Sequence, residues 1–238
     1  MTASTHLKGW DFYTSTTYHT GIGPLRDALE RQGIELVHMP SHVAATEFPL
    51  TGAALREYQV IVLSDIGSNT LLLHPDTWES GKRMPNRLRL LADFVRAGGG
   101  LAMAGGYYSF AGIQGAAHYH ASPIEEVLPV DILPYDDRTE VPEGFVAEVI
   151  DATHPVLSGI AAPWPELLGF NRIRAKGDAS VLAAYGDDPI LAVRSVGRGR
   201  TLAWASDIGP HWCPESFLAW PGYARLWGQA VRWLAGAG

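Results

Sequence analysis

The sequence predicts an α/β fold in which a mostly parallel sheet carries an antiparallel extension, and three stretches lead to that expectation. Residues 86–106 read as helix, glycines, strand and glycine turn, the order of one unit of a parallel sheet. Residues 59–63 (QVIVL) are apolar almost without interruption, as a strand covered on both faces must be. Strand-like runs at residues 181–184, 190–194 and 200–205 are joined by turns too short for a parallel crossover, so these neighbours are antiparallel.

In chain order, residues 1–23 are polar, aromatic and glycine-rich and show no strand pattern. Thr14, Ser15, Thr16, Thr17 and Tyr18 form a hydroxyl-rich run that suits a polar site or a surface loop equally. A helix is expected from Pro24, whose fixed φ fits a first helical turn, to Arg31, with Gly33 closing it. Residues 34–38 (IELVH) give the first expected strand. A doubly wound domain normally opens on a strand, so the sheet read from this chain begins one strand late, with its first strand missing. A turn region over 40–50 and a short helix over 51–57 lead to the strand at 59–63. The loop at 68–85 holds Asn69, His74, Asp76 and Trp78, and Leu71, Leu72 and Leu73 pack part of it down.

Asn86 caps the next helix, whose Leu88, Leu91 and Val95, with Leu90 and Phe94 beside them, recur at helical spacing. Gly98, Gly99 and Gly100 stop it, residues 101–104 form a buried strand, and Gly105 and Gly106 turn the chain sharply. A helical turn near 125–128, an alternating strand at 145–150 (FVAEVI) and a proline-rich connection over 154–165 follow. The final helix spans 223–234, with Leu226, Ala230, Trp233 and Leu234 as its packed face and Trp227 able to extend it. No linker composition interrupts the chain, so a single domain over 1–238 is expected.

Composition limits the function classes. Hydrophobic residues make up 47% and charged residues 18%, the balance of a folded core and not of a disordered chain. Eighteen basic against twenty-five acidic residues give a net charge of −7, and no basic tract offsets it, which argues against nucleic acid as a partner. The lone Cys213 rules out an internal disulfide and a thiolate-only metal cage. Apolar runs are strand-sized, so no membrane partner is expected and a cytoplasmic location is. The sequence asks for no cofactor; it leaves a homo-oligomer open.

Ligands of open α/β sheets bind beyond the carboxyl ends of the strands, which directs attention to three turns. Gly105, Gly106, Tyr107 and Tyr108 follow the central strand. Ser64-Asp65-Ile66-Gly67 recurs as Ser206-Asp207-Ile208-Gly209, each copy directly after an apolar strand, and the second continues into His211 and Trp212. If those strands are parallel neighbours, both aspartates face one crevice. Asp65, Asp207 and His211 would then supply acid, base and hydrogen bonds, with Gly105, Gly106, Tyr107, Tyr108, Trp212 and Asn69 lining the ligand and Trp78 as a further aromatic. Read blandly, the same residues are turn formers and loop scaffold. His118 and His120 have a spacing that suits a metal on a strand, but no third ligand is fixed, so no metal is assigned.

Residues 64–75 (SDIGSNTLLLHP), 96–112 (RAGGGLAMAGGYYSFAG), 133–138 (LPYDDR) and 206–212 (SDIGPHW) resemble the class I glutamine amidotransferase-like superfamily. The resemblance is to its branch of bacterial cytoplasmic proteins related to the trehalose-utilisation proteins. It implies a flavodoxin-like three-layer sandwich, with a strand ahead of the region matching residues 5–9. It also implies a nucleophilic cysteine on the elbow after the central strand and a later His–Glu pair. Here the matching elbow, residues 104–108 (AGGYY), holds no cysteine. His211 and Glu215 stand four residues apart where the family has two, and Cys213 lies beside His211, off the elbow. The expectation is therefore an amidotransferase-like protein without the elbow cysteine. It would act on a small polar or carbohydrate-like substrate through Asp and His, or else serve as a non-catalytic binding or oligomeric module.

Overall fold

The computed structural model describes residues 4–10 and 13–236, with side chains from residue 20 onward. Two strands, β1 (Ser4–Trp10) and β2 (Tyr13–His19), pair antiparallel as a separate two-stranded sheet. This corrects the expectation of no strand before Pro24; the hydroxyl-bearing side chains of residues 14–18 lie outside the described ones. Helices α1 (Gly23–Glu30), α2 (Ser41–Glu47) and α3 (Gly52–Leu55) follow, then β3 (Val60–Ser64), α4 (Ser68–Leu72), α5 (Pro75–Ser80), α6 (Arg87–Arg96) and β4 (Gly100–Ala104). After a 3-10 turn at Ile113–Gly115 come α7 (Pro123–Val127), β5 (Val130–Ile132), β6 (Arg138–Phe145), β7 (Glu148–Val149), β8 (Leu167–Asn171) and β9 (Ile173–Ala175). The chain closes with β10 (Ser180–Tyr185), β11 (Asp188–Val196), β12 (Gly199–Trp204), α8 (Glu215–Leu218) and α9 (Pro221–Leu234).

The main sheet runs β3-β4-β12-β11-β10-β7. Its first three strands are parallel and the remaining pairings antiparallel, so the extension is as long as the parallel part. Strand β4 is buried throughout and central to the parallel half. Its register decides where chemistry can occur: Ser64, Ala104 and Trp204 lie level as the last residues of β3, β4 and β12. The three following turns thus leave the sheet at one edge. At the other end of β4, a Cβ on Gly100 would stand 2.7 Å from the Leu234 carbonyl, so glycine lets the end of α9 close over the sheet.

Helix α6 has its expected cap, the Asn86 side chain accepting from Arg89 N at 3.0 Å, and buries Leu88, Leu91, Phe94 and Val95. Helix α9 buries Leu226, Ala230 and Leu234 as expected, but Tyr223 and Trp227 complete that face while Trp233 is only partly buried.

Residues 34–38 are not a strand. Their alternating pattern needs a neighbouring ladder, and they join none; the sheet ends at β3, with a groove of about 610 Å³ lined by Ile34, Leu36 and Met39 together with Val60 and Ile61. The expected turn over 40–50 contains α2, and the expected loop over 68–85 contains α4 and α5. The alternating run at 145–150 is divided: Phe145 ends β6 opposite Leu167, and Glu148–Val149 pair separately with β10.

Helix α2 and helix α4 owe their ends to a residue distant in sequence. The Arg87 side chain is wholly buried and has no acidic partner among the described residues. Its guanidinium donates to the carbonyls of Ala44 and Ala45 in the last turn of α2, and to Thr70 and Leu71 in the last turn of α4, at 2.5–3.0 Å. The Ala44 carbonyl also accepts from Phe48 N at 3.4 Å, whereas Ala45, Thr70 and Leu71 are among the last carbonyls a helix leaves without intrahelical partners, and a cation is favoured at the negative end of each helix. Replacing Arg87 by Ala is expected to cost about 3 kcal/mol or more, since several buried acceptors lose their donor at once. Urea unfolding measures it, and a loss below 1 kcal/mol, about the value of one ordinary hydrogen bond, would show that Arg87 is not the tie.

Candidate functional site

The three turns at the carboxyl edge meet around Gly106. A Cβ placed there would lie 2.7 Å from Asp65 Oδ1 and 3.0 Å from Asp207 Oδ1, at a φ of +136°. Only a residue without a side chain lets the chain pass between two carboxylates in that conformation. Gly105 is equally constrained: its Cβ would collide with the Ala205 carbonyl at 2.1 Å. Below the elbow, Asn171 at the end of β8 pairs its amide with both Gly106 N (2.9 Å) and Gly106 O (3.2 Å). The buried Asp137 accepts from Asn171 Nδ2 at 2.7 Å, Ala111 N at 2.9 Å and Gly112 N at 2.8 Å.

The repeated Ser-Asp-Ile-Gly turns are anchored alike. Tyr119 donates its hydroxyl to the Ile66 carbonyl at 2.7 Å, and Tyr223 donates to the Ile208 carbonyl at 2.6 Å. Asp207 then takes His211 Nδ1 at 2.8 Å and Trp212 N at 3.1 Å on the same oxygen. With Nδ1–H donating to Asp207, Nε2 is the basic nitrogen of the neutral ring. The His211 side chain is 34% exposed and its backbone φ is +141°, a strained value for a non-glycine residue. Asp65 is another such residue, with φ +50°. Its Oδ1 accepts from Tyr108 N at 2.8 Å, and the Tyr107 amide also bonds its carboxylate.

Burial first, then the charge of Asp207, raises the Asp65 pKa to about 7, and the elbow amides and His211 offset only part of this. Burial also lifts Asp207, against the pull of His211. Burial alone would lower His211, but its hydrogen bond to Asp207 and the charges of Asp207, Glu140 and Asp65 carry it above the ordinary value. Asp65 thus exchanges its proton near neutrality beside an imidazole whose proton affinity lies above the ordinary value, which brings a candidate acid and a candidate base into one site.

Trp212 is buried and stacks on His211, with centroids 5.1 Å apart; Tyr107 meets the imidazole edge-on at 4.5 Å. Tyr108 contributes its backbone amide, while its side chain is 43% exposed. Asn69 is exposed on α4, where its backbone carbonyl accepts from Leu73 N. Trp78 is 70% exposed on α5. His120 Nδ1 bonds the Ile132 carbonyl at 2.7 Å, and no cluster of metal-ligating side chains occurs among the described residues. Cys213 is buried, and burial pushes its thiol well above the usual range, the opposite of what a nucleophile needs. Three residues near the site were not anticipated from sequence: Asp137, Asn171 and Glu140. Glu140 bonds both Tyr107 and Trp212. Only the two aspartates at 136–137 within a motif hinted at this part of the chain.

The raised proton affinities have a consequence for stability. A carboxyl that binds its proton more tightly folded than unfolded stabilises the fold at low pH, and that contribution is lost as pH rises from about 4 through about 7. His211, raised as well, acts in the same sense. Asp65→Asn removes one of these titrations, so the variant is expected to lose less stability than wild type between about pH 4 and 8, by on the order of 2 kcal/mol. Urea unfolding across that range checks it; parallel pH profiles for the two proteins would contradict the assignment to Asp65.

Comparison with known proteins agrees with this architecture. A family model described as putative glutamine amidotransferase (GATase1_like) matches residues 1–236. Among solved structures, the cytoplasmic protein STM3548 from Salmonella typhimurium is 40% identical, aligned over 98% of this chain and 94% of that one with a TM-score of 0.90. The cytoplasmic protein STM1381 from Salmonella typhimurium LT2 is 41% identical over 98% and 95%, also at 0.90. A ThuA-like protein from Parabacteroides merdae shares the fold at 15% identity, over 89% of this chain and 83% of that one, with a TM-score of 0.54. No curated protein matches the chain. No helix among the described residues is long and apolar enough to cross a membrane. The match over residues 1–236, with the shared fold, places the chain in the family of putative glutamine amidotransferases.

Proposed function

We propose that this chain is an enzyme that carries out acid–base chemistry on a small, polar, carbohydrate-like substrate, at Asp65, Asp207 and His211. One observation carries the reading: the 2.8 Å Asp207–His211 hydrogen bond beside a second carboxyl, Asp65, poised near neutral pH. In this reading neutral His211 takes the proton of one substrate hydroxyl at Nε2, Asp207 holds the tautomer, and protonated Asp65 gives its proton to a second substrate oxygen, so the substrate loses one proton and gains one. Gly105 and Gly106 let the elbow pass between the two carboxyls, Tyr107 and Tyr108 line the substrate, and Trp212 backs the imidazole; aromatic faces beside carboxylates suit a ligand rich in hydroxyl groups. The fold reading that goes with it is the flavodoxin-like three-layer sandwich, supported by helices α6 and α9, both of which contact β4 and β12.

Glutamine hydrolysis is disfavoured on chemistry. The elbow has no thiol, Cys213 is buried with a raised pKa, and the Tyr107 and Tyr108 amides that could stabilise an oxyanion already bond Asp65. The second reading, a non-catalytic binding module, draws on the Tyr107 ring set edge-on against the imidazole at 4.5 Å, which narrows access to it.

His211→Asn is expected to melt within a few degrees of wild type, yet to lose binding and turnover across a panel of neutral mono- and disaccharides. Asp207→Asn should weaken both less, because it orients and does not transfer the proton. Binding by calorimetry and turnover by product analysis, each beside thermal unfolding, decide the matter. Binding without turnover in wild type supports the module. A His211→Asn protein with a much lower melting temperature and unchanged function per folded molecule makes the histidine scaffold.

A further inference from the structure

Glu140 is the third residue of β6, opposite Gly169 of β8. Its Oε1 accepts from the Tyr107 hydroxyl at 2.9 Å, and its Oε2 accepts from Trp212 Nε1 at 2.9 Å. The rings so held flank one imidazole: Trp212 lies nearly parallel to His211 (28°) and Tyr107 nearly perpendicular to it (89°). The two aromatic rings also meet each other, with centroids 5.8 Å apart. A closed circuit results, running from Glu140 through Tyr107, His211 and Trp212 and back to Glu140. Gly169 makes the Trp212 position available, since a Cβ there would stand 2.4 Å from Trp212 Nε1. Arg138 approaches Glu140 at 4.0 Å and lies over the Tyr107 ring at 4.7 Å, but its guanidinium is held by Asp136 through contacts of 3.0 and 2.7 Å. Arg138 is thus shared, its Nε and Nη2 on Asp136 and its Nη1 toward Glu140.

We propose that Glu140 is a positioning residue for His211, holding Tyr107 and Trp212 as a clasp that fixes the imidazole ring for proton transfer. The proposal rests on the acid–base reading of the site. A clasp is needed because His211 sits in a strained backbone conformation with a third of its side chain exposed, and Asp207 alone fixes only one ring nitrogen. An imidazole pinned at one nitrogen still tilts about that bond; rings on two sides remove the freedom, and preorganisation of this kind lowers the cost of reaching the reactive geometry. Four charged or titratable groups face His211 from separate elements. Asp207 follows β12, Asp65 follows β3, Tyr107 follows β4, and Glu140 lies on β6, with the Asp136-bound Arg138 beside it. The carboxylates among them favour the imidazolium, so Glu140 adds a charge effect to its geometric one.

The test is Glu140→Gln, with Glu140→Asp as a second variant. A glutamine amide accepts one ring donor but presents its own donor to the other, and aspartate is too short to span both rings, so each opens the clasp. Glu140 is about half exposed, and neither variant should lower the melting temperature by more than a few degrees. The His211 ring proton is followed by NMR against pH, its resonance assigned with His211→Asn. In Glu140→Gln the midpoint is expected to fall by roughly half a pH unit, and the ring-current shift imposed by Tyr107 and Trp212 to diminish. Saccharide affinity or turnover should fall about tenfold. Glu140→Asp keeps the charge, so it should restore most of the midpoint but not the ring-current shift. An unchanged His211 resonance and midpoint in both variants overturns the clasp. If His211→Asn keeps full function while Glu140→Gln still moves the His211 resonance, the acid–base reading fails and the clasp stands.

Discussion

The buried contact between Asp137 and Asn171 governs where everything at the site can be. Asn171 comes from the end of β8 and Asp137 from the residue before β6, yet together they hold the backbone of Gly106, Ala111 and Gly112 after β4. A polar pair in a buried position survives only if its hydrogen bonds are made, and here the partners are the main chain of the elbow itself. Burial raises Asp137 while the amide groups around it pull the other way, so the elbow and the carboxyl stabilise one another. Remove that tie and the glycines of the elbow lose the constraint that keeps them between Asp65 and Asp207.

Above the elbow, symmetry of sequence becomes a shared architecture with different chemistry. Both Ser-Asp-Ile-Gly turns follow parallel strands flanking β4, and both isoleucine carbonyls receive a buried tyrosine hydroxyl. The serines diverge: Ser206 donates to the Gly169 carbonyl at 2.7 Å, whereas Ser64 Oγ is buried with no partner among the described residues. The aspartates diverge further. Asp207 is paired with a histidine four residues on, while Asp65 turns back through a positive φ onto the elbow amides. Two carboxyls of common local origin are thus both lifted by burial above the ordinary range while bonding different partners.

What was legible in the sequence follows the range of the interactions involved. Strands β3, β4 and β12, helices α6 and α9, and the shared edge of Asp65, Gly106 and Asp207 could be read because period, glycine placement and turn length are local signals. The antiparallel half was legible for the same reason, from its short turns. Residues 34–38 carry a strand-like pattern, but pairing is a property of two segments and the sheet stops at β3. Helix α2 was hidden because Pro40 and the polar residues after it resemble a turn, and the Arg87 contact to its last carbonyls arrives from forty residues away. Asp137, Asn171 and Glu140 escaped notice because their partners lie 25 to 72 residues distant, beyond any spacing rule.

The occupied elbow sets the terms on which other molecules compete for it. Asp65 is a carboxyl tethered beside the Tyr107 and Tyr108 amides by a five-residue strand and a pinned turn, so its effective concentration there far exceeds that of any free competitor in solution. Anionic mimics of a tetrahedral intermediate, which bind tightly to empty amide pockets, must here displace a group that cannot diffuse away and must also enter the field of Asp207 and Glu140. Selectivity against such compounds is built into the backbone. A neutral ligand that leaves the tethered carboxyl in place, and bonds to it, meets no such competitor.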